Sequence, residues 1–185
     1  KLKNKYEIFI KAKGQSVSFY SKNDNKNNLY NILATIASIS LYVDVKAFKK
    51  DIFLNFKIPK GRGDISKIRL RKKEIFLVDE SYNSNPLSLK SALENYDKIE
   101  SKNSKKYLIL GDMLELGKNS INQHKAMSKI VNKTKINQVY VIGKYIKETF
   151  KGLKSNKKAK ILNDKFNIIN LINDNLNNND YLMIK

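Results

Sequence analysis

The 185-residue chain contains no cysteine, which excludes a disulfide framework and a thiolate metal site. No apolar run approaches the roughly 18 residues that a membrane-spanning helix requires. The start of the chain, Lys1 to Lys5, lacks the apolar segment of a secretory signal peptide. We therefore expect a cytoplasmic protein, and a hydrophobic content of 41% is enough for a packed core.

Several motifs of common catalytic and nucleotide-binding sites are also missing. Gly61-Arg62-Gly63 lacks the third glycine of a dinucleotide-binding turn and follows no predicted strand. There is no G-x-x-x-x-G-K-[ST] phosphate loop, so if the protein uses ATP, that loop lies outside this chain. His124 is the only histidine, which is poor support for a zinc site, and no Ser-His-Asp arrangement stands out. Its spacing from Ile121, Met127 and Val131 is typical of a buried or capping histidine.

Arginine is scarce although the chain is strongly basic. Lys and Arg total 37 against 17 Asp and Glu, which gives a formal charge of +20, yet only Arg62, Arg69 and Arg71 are arginines. A basic balance permits nucleic-acid binding, but arginine is the usual reader of bases and phosphates. The lysines are spread along the chain with abundant Asn and Ile, which is typical of a drift toward A/T-rich codons. We favour a general attraction for anionic substrates over a dedicated nucleic-acid function.

Two of the seven glycines and one of the two prolines fall in the connector Ile58 to Asp64, where we expect a domain boundary. Before it, Tyr6 to Lys13 and Gln15 to Tyr20 predict a hairpin, Leu29 to Val43 a helix, and about Val45 to Phe56 a further helix. The first helix is apolar almost all round, so it must be covered on every side. Because its neighbours cannot cover it and the chain lacks an initial methionine, we expect a piece of a longer protein.

After the connector, strands alternate with helices, which predicts an α/β fold with a doubly wound, mostly parallel sheet. Ser120 and Gln123 have the spacing of a capping box, Ile121 is expected to face inward, and Asp164 is expected to cap the last helix. The last strand ends at Lys185, at the sheet edge that carries functional loops in such folds. The predicted strands are Glu74 to Val78, Lys106 to Leu110, Gln138 to Ile142, Lys158 to Leu162 and Tyr181 to Ile184. The predicted helices are Pro86 to Ile99, Ser120 to Lys133, Lys144 to Phe150 and the segment after Asp164.

Three polar loops are expected to converge at the carboxyl edge of this sheet. They are Asp79 to Asn85, Leu110 to Gly117 and Gly143 to Tyr145. Their four acids could bind an amine, a ribose or a cation, or could merely complement helix N-termini. These acids are Asp79, Glu80, Asp112 and Glu115.

Two long motifs and three short segments suggest a family. Asp79 to Pro86, followed by Ser88 and Ala92, resembles D-D-S-Y-N-A-N-P-x-S, and Leu110 to Gly117 matches L-G-D-M-x-E-L-G, with His124 downstream. Supporting segments are Gly61-Arg62-Gly63 (G-R-G), Asn28 to Ala34 (H-N-x-x-N-A-x-A) and Tyr181 to Lys185 (L-V-K-G-S, cut after the lysine). Together they resemble the Mur ligase family of peptidoglycan synthesis, most closely its D-alanyl-D-alanine-adding (MurF) type.

The resemblance covers essentially the whole chain but only about the last two-fifths of a full ligase. It implies that residues 1–64 are the remnant of the central, ATP-binding domain and residues 65–185 a C-terminal domain truncated at its end. The phosphate loop, the Mg²⁺ ligands and the UDP-binding domain would belong to the missing part. We therefore expect no metal ligand in this chain and no activity from it alone.

The resemblance also implies a reaction. ATP would phosphorylate the carboxylate of UDP-N-acetylmuramoyl-tripeptide, and the amine of D-alanyl-D-alanine would attack the acyl phosphate to give an amide, ADP and phosphate. Catalysis of this kind is mostly positioning and charge neutralisation. The enzyme would be a cytoplasmic monomer that uses ATP and Mg²⁺ and has no nucleic-acid partner.

Carried over position by position, the resemblance implies roles for individual residues. Asn28 and Asn31 would meet the adenine, and Arg62 would approach the phosphates. Glu80 would hold the ribose or the closed-domain geometry, which makes Arg62 and Glu80 the catalytic candidates. The dipeptide side of the cleft would be formed by Tyr82, Asn83, Asn85, Asp112 and Glu115.

The sequence departs from the family pattern at three positions. Asn27 replaces a His, Glu80 replaces an Asp and is one methylene longer, and Ser84 replaces an Ala. Two alternatives stay open: a sibling ligase that adds a different amino acid, and a basic α/β module that binds RNA or another polyanion.

Overall fold

The computed structural model describes residues 5–12, 14–22, 26–56, 59–70, 72–101 and 103–185. The chain divides into two units, residues 1–57 and residues 58–185, and each has its own core. Lys13, Ile58 and the side chain of Asn27, all named in the sequence analysis, lie outside the described residues. None of the described helices is both long and apolar enough to cross a membrane.

The first unit is a hairpin packed against a helix. Strands β1 (Tyr6–Ala12) and β2 (Gln15–Ser21) pair antiparallel, as predicted, and Gly14 turns between them at φ +73°. Helix α1 (Lys26–Ile39) lies over the hairpin and begins three residues before its predicted start at Leu29. The buried core of this unit consists of Ile10, Phe19, Ile32, Ile36 and Val45.

One expectation about this unit is met only in part, and another is wrong. Helix α1 buries Ile36 but leaves Tyr30 57% and Leu33 44% exposed, so the described residues cover only one side of it. The predicted helix over Val45 to Phe56 is wrong: a single 3₁₀ turn, Val45–Ala47, is followed by turns. The backbone is extended at Phe48, and the Lys50 carbonyl accepts a hydrogen bond from the Tyr20 amide at 2.6 Å. The segment therefore bonds to the hairpin in place of forming the backbone hydrogen bonds of a helix.

The second unit is built on a six-stranded sheet of order β3-β4-β8-β5-β6-β7. All neighbouring strands are parallel except β3 and β4, which confirms the mostly parallel sheet. Strand β3 was not predicted because its Lys67 and Arg69 are exposed at the sheet edge and its sequence lacks an apolar run. The strands are β3 (Asp64–Leu70), β4 (Lys73–Asp79), β5 (Lys106–Leu110), β6 (Gln138–Val141), β7 (Lys158–Ile161) and β8 (Tyr181–Ile184).

Helices cover both faces of this sheet. On one face α2 (Pro86–Lys98), α3 (Ser120–Val131) and α4 (Ile146–Lys151) pack on side chains such as Leu108. On the other face α5 (Lys165–Asn175) packs on side chains such as Ile109. The alternation of Leu108 and Ile109 between two cores is the period of a strand buried on both faces.

The helix N-termini confirm one predicted cap and overturn another. The Asp164 side chain accepts the Asn167 amide at 3.0 Å and caps α5, as predicted. The predicted capping box at Ser120 is wrong, since Asn119 precedes α3 and makes no side-chain cap and Ser120 is already helical. Ile121 was expected to face inward but is 54% exposed.

Four lysines near the amino ends of the strands donate to carbonyls at or beyond helix C-termini. Lys106 Nζ donates to the Tyr96 carbonyl of α2 at 3.0 Å, and Lys158 Nζ donates to the Lys151 carbonyl of α4 at 2.8 Å. Lys73 donates to the Leu176 carbonyl after α5 at 2.8 Å, and Lys157 to the Ile136 carbonyl after α3 at 2.7 Å. A cation is favourable at this end of a helix, so part of the positive charge stabilises the fold.

Candidate functional site

Strand β8 brings the two motif-bearing loops together, because it lies between β4 and β5. The Glu80 amide donates to the Ile184 carbonyl at 2.9 Å, and the Gly111 amide donates to the Lys185 carbonyl at 2.7 Å. The loops Asp79 to Asn85 and Leu110 to Gly117 therefore flank the end of β8. The predicted convergence of these loops at the carboxyl edge is confirmed.

Lys185 is the centre of the first loop's contacts. Its ammonium lies 3.4 Å from Glu80 Oε2 and donates to the Asn83 carbonyl at 2.7 Å. The Lys185 side chain is only 3% exposed and that of Glu80 16%. The pair therefore closes the loop over the sheet edge in a site largely shielded from water.

The ionisation of Glu80 is set by two opposing effects. Burial disfavours the carboxylate and raises the pKa of Glu80 above its ordinary value, while the charge of the Lys185 ammonium and its hydrogen bond act to lower that pKa. The nearby Asp79 and Asp64 raise the pKa of Glu80 further. The charge on Glu80 thus depends on its contact with Lys185.

The glycine-arginine-glycine connector is docked on this loop. The Tyr82 amide donates to the Gly61 carbonyl at 3.1 Å, and the Gly63 amide donates to the Asp79 carbonyl at 2.7 Å. Gly61 and Gly63 have φ of +77° and +92°, where a side chain is strained. A Cβ on Gly63 would lie 2.8 Å from Glu80 Oε1, so any side chain at this position would require the Glu80 carboxylate to shift.

Arg62, between those glycines, projects from the docked connector. Its guanidinium lies 4.3 Å from the ring centroid of Tyr82, and both side chains are exposed. A guanidinium stacked on a ring keeps its hydrogen-bond donors directed outward. The structure thus brings together Arg62, Glu80 and Tyr82, three of the predicted site residues.

The remaining predicted residues of the first loop have local partners. Asn85 accepts the Ser88 amide at 2.8 Å, and Ser88 Oγ accepts the Asn85 amide at 3.0 Å, so the two form the capping box of α2. Asn83 Oδ1 accepts the Ser84 amide at 2.7 Å. Asp79 Oδ1 accepts from Ser81 Oγ at 2.6 Å. These bonds hold the loop in one conformation.

Asp112 joins the second loop to the third. Its carboxylate accepts the amides of Lys144 at 2.8 Å and Ile146 at 2.7 Å, at the start of α4. This is the contact of an acid that complements a helix N-terminus. Glu115 is exposed with φ +61° and lies at the tip of the same loop.

His124 is buried, as its spacing predicted, and it supports the second loop. Its Nε2 accepts the Met113 amide at 2.9 Å, and Nδ1 lies 2.7 Å from the Ser120 carbonyl, to which it donates in the tautomer that this network requires. The imidazole therefore fixes the backbone of the loop next to Asp112.

Asn28 and Asn31 belong to the first unit. Both lie in the N-terminal half of α1, where Asn28 is buried and donates to Ser21 Oγ at 3.3 Å. Asn31 is exposed.

The chain matches the family model "Mur ligase, glutamate ligase domain" over residues 67–185. The chain belongs to the Mur ligase family.

Curated Mur ligases similar to this chain carry the name UDP-N-acetylmuramoyl-tripeptide–D-alanyl-D-alanine ligase. The relative from Buchnera aphidicola subsp. Baizongia pistaciae is 32% identical over 122 residues, which cover 66% of this chain and 25% of the relative. The relative from Bacillus subtilis is 26% identical over 176 residues, which cover 94% of this chain and 38% of the relative. The chain thus spans at most about two-fifths of these relatives.

Solved Mur ligase structures share the fold. The MurF ligase of Thermotoga maritima in complex with ADP aligns with a TM-score of 0.72 at 21% identity, and covers 100% of this chain and 40% of that one. MurF from Acinetobacter baumannii aligns with a TM-score of 0.73 at 19% identity, and covers 98% and 39%. These likenesses establish the fold alone.

Two features of the candidate site were missed by the sequence analysis. Lys185 was noted only as part of a strand end, and Gly63 only as part of a motif. The sequence signal for Lys185 is its place directly after an apolar strand, at the carboxyl edge of the sheet.

Within the described residues, no three His, Cys, Asp or Glu side chains cluster to hold a metal ion.

Proposed function

We propose that this chain is part of an ATP-dependent ligase of the MurF type, which joins D-alanyl-D-alanine to UDP-N-acetylmuramoyl-tripeptide. The names of relatives that are 26–32% identical support the substrates. The observation that carries the proposal is the docking of Gly61-Arg62-Gly63 on the Glu80 to Asn83 loop. It places a cationic guanidinium at the sheet edge where α/β folds bind their ligands.

The chemistry proceeds in two steps. A carboxylate oxygen of the tripeptide attacks the γ-phosphorus of ATP, and ADP leaves with the electron pair of the broken P–O bond. The dipeptide amine then attacks the acyl carbon, phosphate leaves and the amine loses a proton. Arg62 has the charge and the planar fork to neutralise phosphate oxygens in the first step.

In this proposal Glu80 acts by holding the connector in position. Its carboxylate contacts Lys185 and lies against Gly63, so it sets the position of the connector that carries Arg62. The exposed Tyr82 and Glu115 are available to the dipeptide, and Asp112, Asn83 and Asn85 hold the loops beneath them. Asn28 and Asn31 are assigned to the adenine.

The rest of the proposal concerns the longer enzyme. Residues 1–64 are the end of an ATP-binding domain, and residues 65–185 are a C-terminal domain. Mg²⁺ takes its ligands outside this chain and supplies charge neutralisation at the phosphates. The enzyme is a cytoplasmic monomer without a nucleic-acid partner.

The test is ADP release by the longer protein encoded by the same gene. ADP is expected only when ATP, the tripeptide nucleotide and D-alanyl-D-alanine are all present. Replacing the dipeptide by L-alanine, D-glutamate or a diamino acid should abolish release, whereas turnover with one of these would assign a sibling ligase. RNA binding at micromolar affinity in physiological salt without any ligation would favour the polyanion module.

A further inference from the structure

The last strand ends on a buried cation that the proposed chemistry does not use. Lys185 is 8% exposed as a residue, and its ammonium contacts a carboxylate and a backbone carbonyl of the same loop. A buried ammonium is costly unless it is paired and hydrogen-bonded, so the site is specified rather than incidental.

Its two contacts fix both ends of the short segment Glu80 to Asn83. Glu80 receives the ion pair, and the Asn83 carbonyl accepts the hydrogen bond. Between these two lies Tyr82, whose amide donates to Gly61 and whose ring lies beneath Arg62. A displacement of the segment therefore displaces the connector.

Glu80 provides the second link to the connector. Its Oε1 lies 2.8 Å from the position that a Cβ on Gly63 would take, while its Oε2 faces Lys185. One carboxylate therefore separates the ammonium from the connector backbone. Loss of the ammonium leaves a half-buried carboxylate without its cation.

We propose that Lys185 is a positioning residue of the ligase: it holds the Glu80 to Asn83 segment and thereby aims the Arg62 connector at the nucleotide. This inference rests on the proposed function, but its structural part can be measured without turnover. Lys185 does not itself touch substrate in this account.

The experiment compares Lys185→Met, Lys185→Arg, Glu80→Gln and the Lys185→Met/Glu80→Gln double variant of the longer protein. We expect Lys185→Met and Glu80→Gln each to lower kcat/KM by about 10- to 100-fold, and the double variant to be no worse than the poorer single. Lys185→Arg should recover part of the loss because it keeps the charge. If the fold losses in kcat/KM of the two single variants multiply in the double variant, Lys185 does not act through Glu80.

A pH profile separates positioning from simple structural support. Lys185 lowers the pKa of Glu80, so Lys185→Met should move the acid limb of kcat/KM to higher pH. Lys106→Met is the matched control, since Lys106 is a buried lysine whose ammonium donates to the Tyr96 and Asp97 carbonyls of α2 and lies 5.6 Å from the Tyr96 ring centroid. It should lower stability yet leave the acid limb in place. An unmoved limb in Lys185→Met would overturn the proposal.

Amide hydrogen exchange tests the structural part independently of activity. In Lys185→Met, exchange should accelerate in peptides covering Gly63 and Tyr82, whose amides join connector and loop, and should not change there in Lys106→Met. Unchanged exchange in Lys185→Met overturns the positioning role. Accelerated exchange in a protein without dipeptide-dependent turnover leaves the positioning role intact and rejects the proposed ligase.

Discussion

Single residues at the carboxyl edge act mainly through close contacts with backbone. Gly63 lies against Glu80, Lys185 binds the Asn83 carbonyl, and His124 binds the Met113 amide. The Lys185 and His124 side chains, and the lack of a side chain at Gly63, each fix the position of a short polar loop. The site is therefore sensitive to changes that remove no catalytic group.

Gly63→Ala is predicted to destabilise the second unit and to displace the connector. The new Cβ would lie 2.8 Å from Glu80 Oε1 at φ +92°. Backbone strain costs about 1–3 kcal/mol, and the Glu80 carboxylate must also shift from its contact with Lys185. The measurement is the free energy of unfolding by denaturant.

The control for this variant is Gly117→Ala. Gly117 also has positive φ, +57°, but nothing lies within 4 Å of the Cβ position. We expect Gly63→Ala to lose at least about 1 kcal/mol more than Gly117→Ala. Equal losses would mean that the close approach to Glu80 does not matter.

Glu80 is predicted to make stability fall as pH rises through its titration. Because the folded-state pKa of Glu80 is raised above its ordinary value of 4.5, its contribution is fully present below that value and is lost as pH rises through the raised pKa. The difference in free energy of unfolding between wild type and Glu80→Gln should therefore decrease from pH 4.5 upward. A difference that grows with pH would mean that Lys185 outweighs burial.

The strands and helices differ in how well the sequence predicts them. Four of the five parallel strands were predictable because each contains a compact apolar run, whereas β7 alternates lysines with Ala159 and Ile161. Strand β3 was not, since it is an exposed edge strand of charged residues. The false helix after Val45 had suitable apolar residues, but the segment bonds to the hairpin instead.

Helix caps were less predictable than helices, because spacing does not fix which residue becomes the cap. Ser120 and Gln123 had capping-box spacing, yet Ser120 is already helical and its hydroxyl lies 3.4 Å from His124 Nδ1. Asn85 and Ser88 form the capping box instead. The extended backbone at Asn85 permits this bond, whereas Asn119 lacks that geometry.

Asn85→Ala is predicted to destabilise α2 by about 1 kcal/mol, the usual cost of losing a capping side chain. Asn119→Ala is its matched control, because Asn119 precedes α3 without a side-chain cap. We expect thermal unfolding of the second unit to shift downward only for Asn85→Ala. A comparable shift for Asn119→Ala would contradict the assignment of the two caps.

At the scale of the whole molecule, strand order explains why the site was only partly predictable. The loops were expected to converge because parallel strands share a carboxyl edge. The insertion of β8 between β4 and β5 brings Lys185 to Glu80, 105 residues earlier in the chain. A lysine after an apolar strand could be placed at this edge from the sequence, but its pairing with Glu80 depends on the strand order, so the contact was missed.

The charge of +20 is also explained in part at this scale. Lysines near the amino edge of the sheet bind carbonyls at helix ends, and Arg62 and Lys185 lie at the carboxyl edge. Part of the positive charge therefore stabilises helix ends, and part is paired with Glu80.

The most direct test of the proposed ligase is the mass of its product. The longer protein is incubated with ATP, Mg²⁺, UDP-N-acetylmuramoyl-tripeptide and D-alanyl-D-alanine, and the nucleotide pool is analysed by mass spectrometry. We predict a UDP-N-acetylmuramoyl-pentapeptide that appears in equal amount with ADP, at a rate strongly reduced in Arg62→Ala. ADP formation without this product, or no dipeptide-dependent reaction, would contradict the account.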